Sequence, residues 1–347
     1  MNIKSTYIIA EAGQNHNGSL KMAKQLIDMT AMPIIDKAYN RHLKGVDAIK
    51  FTKRDMSEEL TKEEYNRIYD SPNSFGRTYG EHREKLELSY DEHIELYKYT
   101  KNKELDFIET LTSVKTLKLL EQIDVKYIKV ASRDLTNIPL LEEIGKAKKS
   151  VILSTGMGGL PEIDRAVEVI NRYHENIVIL HCISQYPADY NNLNLNTIPF
   201  LKERYKYTIG YSDHSIGIVT PAVAFALGAE FIEKHITLSH ALKGSDHKGA
   251  LEPDGLWRMV RDIRNMEMTL GKYEKKICES VKPYMEKLER SLATKRIIKK
   301  GDVINESDLI MLSPGEGMNW YERIKIFGKK AKQDIDELTS ITEDMFE

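Results

Sequence analysis

Short apolar runs recur along the chain, and longer amphipathic segments separate them. The runs that read as strands are 7–10, 48–51, 106–109, 127–131, 150–154, 177–181, 207–211 and 231–235. Leu160, Ile163, Ala166, Val167, Val169 and Ile170 share one broad apolar face, which predicts a helix over 160–173. Further helices are expected over 220–227 and, after Pro253, over 256–270. Eight strands alternating with helices predict a parallel α/β protein. Alternation alone also suits a doubly wound sheet. Eight repeats in about 270 residues favour a (β/α)8 barrel, the TIM barrel.

The polar positions add weight to the barrel. Almost every strand ends in or beside a reactive side chain: Glu11, Lys50, Thr110, Lys129, Ser154, His181, Ser212 with His214, and His235. Barrel active sites gather at the C-terminal ends of the strands. Two insertions interrupt the rhythm. Residues 32–44 lengthen the first crossover, and 55–88 form a long charged connection containing "SFGRTYGEHR". A connection this long in a compact domain is usually functional or disordered, and a lid or substrate loop is expected here.

The pattern changes after Gly271. Residues 1–271 are assigned to the barrel, 272–289 to a mixed, charged linker, and 290–347 to a second, mostly β domain of short strands and tight turns. So small a unit has little core of its own and is expected to lean on its own barrel or on a second subunit.

Charge and cysteine content narrow the setting. The formal net charge is −2 with both signs interspersed, so no dedicated surface for nucleic acid or an anionic membrane is expected. Two cysteines, Cys182 and Cys278, make no disulfide framework and fit a reducing cytoplasm. The apolar run at 7–10 meets Glu11 too soon for a signal peptide, and no run nears the roughly 20 residues that span a bilayer.

Two lysines carry the chemistry furthest. Lys50 in "AIKF" and Lys129 in "YIKV" end apolar strands, where an ammonium group is costly unless it faces an anion. Either alone could snorkel to the surface. Two on the same side of one barrel mouth point to a phosphate or carboxylate ligand, with Ser132, Ser154 and Thr110 as hydroxyl donors. His214 and His235 follow adjacent strands and could share a divalent metal. A strand-end histidine is also commonly structural. Glu11, Asp134 and Asp246 could orient water or act as acid or base, while Asp213 and Glu233 could equally be structural. In "AEAGQNHNGS", Asn17-Gly18 is a turn signal, Ser19 a helix cap, and Asn15 and His16 are expected in the pocket wall. Cys182 reads as a small apolar filler. The chain has no Gly-x-Ser-x-Gly elbow, no P-loop and no GxGxxG after the first strand.

Taken in order, "IIAEAGQNHNGSL", "IKF", "IKVASRD", "ILSTGM", "LHCISQYP", "GYSDH" and "EKHITL…KGSDHKGALEP" resemble the sialic acid (nonulosonate) synthase family. The segment from "RSLATKRIIKKGDVI" resembles that family's C-terminal antifreeze-like (SAF) domain. The resemblance implies condensation of phosphoenolpyruvate with N-acetylmannosamine or a related hexosamine-type sugar, releasing phosphate. It implies a divalent cation, Mn²⁺ or Mg²⁺, held by His214 and His235. It implies phosphoenolpyruvate bound by Lys50, Lys129, Thr110, Ser132 and Ser154. Glu11 matches the strand-1 glutamate, Asp134 and Asp246 the acceptor-side carboxylates, and Tyr186 the tyrosine after strand 6. Ser212 is expected beside the same pocket. The family's usual assembly is a homodimer with the small domain swapped over its partner's barrel.

Three positions depart from the pattern. Thr52 stands where glutamine is common, Arg133 where glycine is common, and Ser313 where an arginine often reaches the acceptor. All three fall on the acceptor side. An acceptor other than plain N-acetylmannosamine is therefore expected, with Arg77, Arg83 or Arg133 as candidate partners for an acceptor phosphate. Two alternatives stay open: another phosphoenolpyruvate-dependent keto-acid synthase acting on a different aldose, and a non-catalytic sugar-binding protein.

Overall fold

A computed structural model describes residues 5–347, and the chain divides into two compact units after Gly271. In the first unit, eight parallel strands close into a barrel. They are β1 (Tyr7–Gly13), β2 (Ala48–Lys53), β3 (Asp106–Leu111), β4 (Tyr127–Val130), β5 (Ser150–Ser154), β6 (Ile177–Cys182), β7 (Thr208–Asp213) and β8 (Phe231–His235). Each strand pairs with its neighbours in sequence, and β1 closes the ring by pairing with both β2 and β8.

Alternation along each strand sorts its side chains. Ile9, Ala48, Ile108, Ile152, Val178, Leu180 and Phe231 pack together inside the barrel. Ile8, Ala10, Ile49, Phe51 and Phe107 face the other way and join the layer beneath the helices. The helix Leu160–Asn171 buries Ile163, Ala166, Val167, Val169 and Ile170, the face read from sequence. The helix expected from 256 starts three residues earlier, as Pro253–Thr269, because Pro253 fits its first turn. That helix fastens the barrel's closure. Its buried Arg264 reaches Asp47 at 2.7 Å, Glu267 at 2.7 Å and the Thr6 carbonyl at 2.6 Å.

The two insertions have structure of their own. Residues 32–44 carry a small antiparallel hairpin, Ile34–Asp36 with Arg41–Leu43. Residues 55–88 carry three short helices, Met56–Glu59, Lys62–Asn66 and Tyr79–Lys85. Thr78 and Glu81 cap the last of these reciprocally.

The second unit contains a short helix, Lys282–Leu288, inside the segment read as linker. Beyond it, β9 (Ser291–Thr294) pairs antiparallel with β10 (Leu309–Leu312), and isolated bridges tie the remaining turns. This unit has a core after all: Leu292, Ile298, Ile304, Ile326, Ile341 and Phe346 are buried together with their neighbours. Among the described residues, no helix is long and apolar enough to cross a membrane.

Candidate active site

The barrel's polar strand ends surround one cavity of about 400 Å³. At its floor lie Lys50 and Lys129, only 4% and 3% exposed. Lys50 Nζ is 2.6 Å from Glu11 Oε2 and donates to Thr110 Oγ1 at 3.0 Å. Lys129 Nζ donates to Ser154 Oγ at 2.7 Å and lies 3.6 Å from Glu233 Oε1. Glu233 also accepts from Ser212 Oγ at 2.9 Å and sits 3.8 Å from Lys50. Barrel register sets these meetings, since Glu11 is the Cα partner of both Lys50 and His235.

Two ammonium groups and two carboxylates therefore share one dry space. Burial raises Glu11 above the ordinary carboxylate range, Lys50 opposes the rise and Glu233 adds to it. Burial also works against ionised Glu233, but Lys129 and Lys50 outweigh it and hold that carboxyl low. Lys129 is pushed down by burial and by Lys50, against the pull of Glu233. Glu233 Oε2 is buried without a hydrogen-bond donor, and Glu11 Oε2 faces only the Lys50 ammonium. An entering anion thus finds two desolvated cations whose hydrogen bonds are only partly used.

The imidazoles lie on one side of this floor, with ring centres of His214 and His235 5.4 Å apart. His214 Nδ1 donates to the Ile183 carbonyl at 2.8 Å, which leaves Nε2 as a free lone pair. Burial, with His214 beside it, keeps His235 neutral, and its Nδ1 is buried without a partner. Burial works against a charged His214, but Cys182 and the Ile183 carbonyl outweigh it and draw that ring upward, so a cation would displace its proton, while His235 is already neutral. The two rings together fit a divalent cation that keeps open positions for water and substrate. Among the described residues no group of three His, Cys, Asp or Glu side chains forms a complete cage. Tyr186 packs against both rings, 5.4 Å and 4.8 Å between centres, and donates to the Asp246 carbonyl at 2.9 Å.

Thr52, Ser132, Arg133 and Asp246 also line the cavity. Ser132 Oγ accepts from the Gly156 amide at 2.9 Å, and Gln14 reaches Asp246 at 3.3 Å. Three expected residues do not line it. Gly13 turns the chain with φ +51°, and the turn tucks Asn15 and His16 away from the mouth. Asn15 donates to the Ile236 carbonyl at 2.8 Å, and buried His16 accepts from the Gly18 amide and lies near Phe51. Both hold the turn rather than the pocket wall. Asp134 sits behind Arg133, its Oδ2 3.6 Å from Arg133 Nε. The turn itself is as read, with positive φ at Asn17 and Gly18 and Ser19 accepting from Met22.

Two residues change status. Cys182 is no mere filler: it lines the cavity, with Sγ 3.8 Å from His214 Nδ1. Glu233, left undecided in the sequence, is central. Alternation in "FIEKH" carries the signal, because Phe231, Glu233 and His235 fall on one side and Lys234 on the other. Lys234 accordingly faces outward and is buried against Asp213 at 2.6 Å, which makes Asp213 structural. The same rule turns His181 outward, where it bonds the Leu193 carbonyl at 2.7 Å.

Segment 55–88 reaches the rim. It supplies Arg83 to the cavity wall, and Arg54 just before it also lines the wall. Glu59, in the same segment, accepts from Arg133 at 3.1 Å. Arg77 is not part of this wall.

A barrel that converges so much strand-end chemistry on one pocket belongs to the enzymes of the (β/α)8 class, here one built to receive an anion. The chain belongs to the NeuB family, whose model matches residues 34–275, and residues 289–347 match the SAF domain. It is 35% identical over 342 residues to N,N'-diacetyllegionaminic acid synthase of Campylobacter jejuni, covering 96% of this chain and 98% of that one. It is 32% identical over 342 residues to N-acetylneuraminate-9-phosphate synthase of Homo sapiens, covering 98% and 92%. The solved N-acetylneuraminic acid (sialic acid) synthetase of Leptospira borgpetersenii, in complex with citrate, is 33% identical with a TM-score of 0.67, over 82% of this chain and 91% of that one. The resemblance read from the motifs holds across both units.

Proposed function

We propose that this enzyme condenses phosphoenolpyruvate with the aldehyde of a hexosamine-type sugar, giving a nonulosonic acid and phosphate. The observation that carries the reading is the pair of desolvated lysines, Lys50 and Lys129, facing Glu11 and Glu233 at the floor of the strand-end cavity. The three relatives named above, each a nonulosonic acid synthase, support it.

The lysines take the phosphate and carboxylate charges, aided by the hydroxyls of Thr110, Ser132 and Ser154. Ser212 and the lysines keep Glu233 ionised, so it offsets the ammonium charges between turnovers. C3 of phosphoenolpyruvate forms the new C–C bond to the aldehyde carbon, and positive charge develops at C2. Water adds to C2; Glu11, whose carboxyl is raised by burial, takes one water proton, and the former aldehyde oxygen takes up a proton to become a hydroxyl. The C2–O bond to phosphate then breaks, the remaining hydroxyl proton at C2 leaves with phosphate, and a keto group is left. A divalent cation, Mn²⁺ or Mg²⁺, held by His214 and His235 would supply Lewis-acid polarisation of the acceptor aldehyde. Tyr186, Asp246 and Thr52 line the same cavity and are assigned to the sugar.

We further propose a domain-swapped homodimer in the cytoplasm. Tyr273, Ile277, Tyr284 and Leu288 in the second unit are exposed apolar side chains suited to burial against a second copy. Mass measurement in solution tests this, with a dimer expected and a monomer contrary to it.

Incubation with phosphoenolpyruvate, Mn²⁺ and a panel of hexosamines tests the reaction. The expected result is stoichiometric phosphate release with a nine-carbon 2-keto acid by mass spectrometry. Phosphate release without a condensation product, or product only with a pentose or tetrose phosphate, overturns the reading.

A further inference from the structure

A second cavity, of about 470 Å³, lies outside the barrel wall, between the ends of β5 and β6 and the helices Leu160–Asn171 and Thr197–Arg204. That is the size of a small-molecule site. The condensation reading assigns it no substrate.

Its wall differs in kind from that of the strand-end cavity. Asp, Glu, Lys and Arg make up 30% of the chain, yet none of them lines this cavity. Glu162 accepts from the Gly159 amide at 2.9 Å, so the start of the first helix already holds its own anion. With no cation to pair, a phosphate or carboxylate would be buried here at a cost.

What the wall offers is neutral hydrogen bonding beside apolar surface. His181 is 6% exposed, and its Nε2 donates to the Leu193 carbonyl at 2.7 Å. Burial holds the ring neutral, so Nδ1 keeps a lone pair, and no described residue donates to it. Asn196 stands at the start of the second helix without capping it, which leaves its side-chain amide free for a ligand. Leu160, Ile163 and Phe200 supply the apolar part, and the Phe200 ring is 49% exposed. An open aromatic face, a side-chain amide and an imidazole acceptor, with no charge among them, suit a neutral sugar ring. Its C–H groups lie against the aromatic ring and its hydroxyls bond the amide and the imidazole.

The two cavities share a wall. Cys182 lines both. Ile183 lines the second, and its carbonyl accepts from His214 Nδ1 at 2.8 Å. Gly156 also lines the second, and its amide donates to Ser132 Oγ at 2.9 Å. A Cβ at Gly156 would strike Ser184, so this turn has no slack on that side. A shift of either backbone segment is therefore passed to a side chain of the active cavity.

We propose that the second cavity binds an uncharged pyranose sugar, and that its occupant acts on the active cavity as an effector. The binding half stands without the condensation reading. The effector half rests on it, because Ser132 and His214 take their roles from that reading.

The test uses the full chain with ¹³C-methyl-labelled isoleucine, and N-acetylglucosamine as the probe. The Ile163 and Ile183 methyl signals are expected to shift on titration with a Kd on the order of 1 mM, in the wild type and in Lys129→Met alike. Glucuronic acid, which carries a carboxylate, should bind at least about tenfold more weakly. Phe200→Ala should weaken the probe roughly 5- to 10-fold, and Phe200→Trp should restore it. At saturating acceptor, the probe should change kcat/KM for phosphoenolpyruvate by about fivefold or more in the wild type and not in Phe200→Ala. Methyl signals that stay still overturn the site, and equal binding of glucuronic acid overturns its neutral class. Probe affinity unchanged in Phe200→Ala overturns the stacking on that ring. Shifts that follow protein concentration instead of sugar mark a contact between copies and overturn the proposal. Binding with unchanged kinetics overturns the effector half. Failure to condense phosphoenolpyruvate with any hexosamine overturns the condensation reading and the effector half, while the methyl shifts still decide the binding half.

Discussion

Lys129→Met is the sharpest perturbation of the cavity floor, because it removes a charge and keeps the side chain's bulk. The lysine ammonium donates to Ser154 at 2.7 Å and stands 3.6 Å from Glu233. A charge-assisted hydrogen bond to a bound anion contributes about 1.5–3 kcal/mol. A unit charge pair at 4 Å in a partly screened site contributes about 4 kcal/mol. The expected loss in kcat/KM for phosphoenolpyruvate is therefore between roughly 10- and 1000-fold. The assay is initial-rate phosphate release with phosphoenolpyruvate varied and acceptor saturating, then the reverse. Acceptor KM should move little. Lys234→Met is the control, since that lysine is as deeply buried but faces away from the cavity against Asp213. It should lower the unfolding free energy by about 3–5 kcal/mol, the cost of leaving a buried charge unpaired, with phosphoenolpyruvate KM unchanged. If Lys129→Met leaves phosphoenolpyruvate KM and kcat intact, or if both lysines behave alike, the assignment of Lys129 to the anion is wrong.

Other outcomes follow from the same geometry. His235→Ala should weaken Mn²⁺ binding measured by titration calorimetry at least tenfold; unchanged binding removes His235 from the ligand set. Arg264→Ala leaves Asp47 and Glu267 without their shared partner at the barrel closure and should cost about 3–5 kcal/mol in chemical denaturation, with KM values unchanged. Gly18 has φ +72°, and a Cβ there would meet the Lys85 carbonyl at 2.1 Å. Gly18→Ala should thus cost at least about 1–2 kcal/mol and raise acceptor KM, because Lys85 ends the helix that carries Arg83. A fully stable Gly18→Ala with native acceptor KM would show that this contact does not position the rim.

The barrel was legible because its strands carry a physical signature that single residues cannot hide. Each apolar run is short, is buried on both faces and ends in polar chemistry, so the eight strands and the side that bears the site come from the pattern alone. Lys50, Lys129, His214 and His235 were legible for the same reason, since each stands at a strand end. Glu233 was not, because next to Lys234 it looks like half of a solvated ion pair. Only the two-residue alternation separates them, sending one to the cavity and the other to Asp213. Asn15 and His16 misled in the opposite direction. Both follow a catalytic-looking glutamate, yet the left-handed Gly13 turns the chain before they can face the pocket. Arg54 was invisible as a site residue because "TKRD" reads as a charged surface turn. Its role depends on β2 continuing two residues beyond its apolar part. The small unit's core, including Leu292, Ile298 and Phe346, joins residues far apart in sequence that no local period links.

The most direct test of the central claim follows one oxygen atom. Phosphoenolpyruvate labelled with ¹⁸O at the bridging position is incubated with the enzyme, Mn²⁺ and a hexosamine acceptor, and both products are read by mass spectrometry. The account predicts that the label leaves with phosphate, that the new keto oxygen comes from water, and that phosphate and nine-carbon acid form in equal amounts. Unlabelled phosphate, or labelled phosphate without the keto acid, would contradict it.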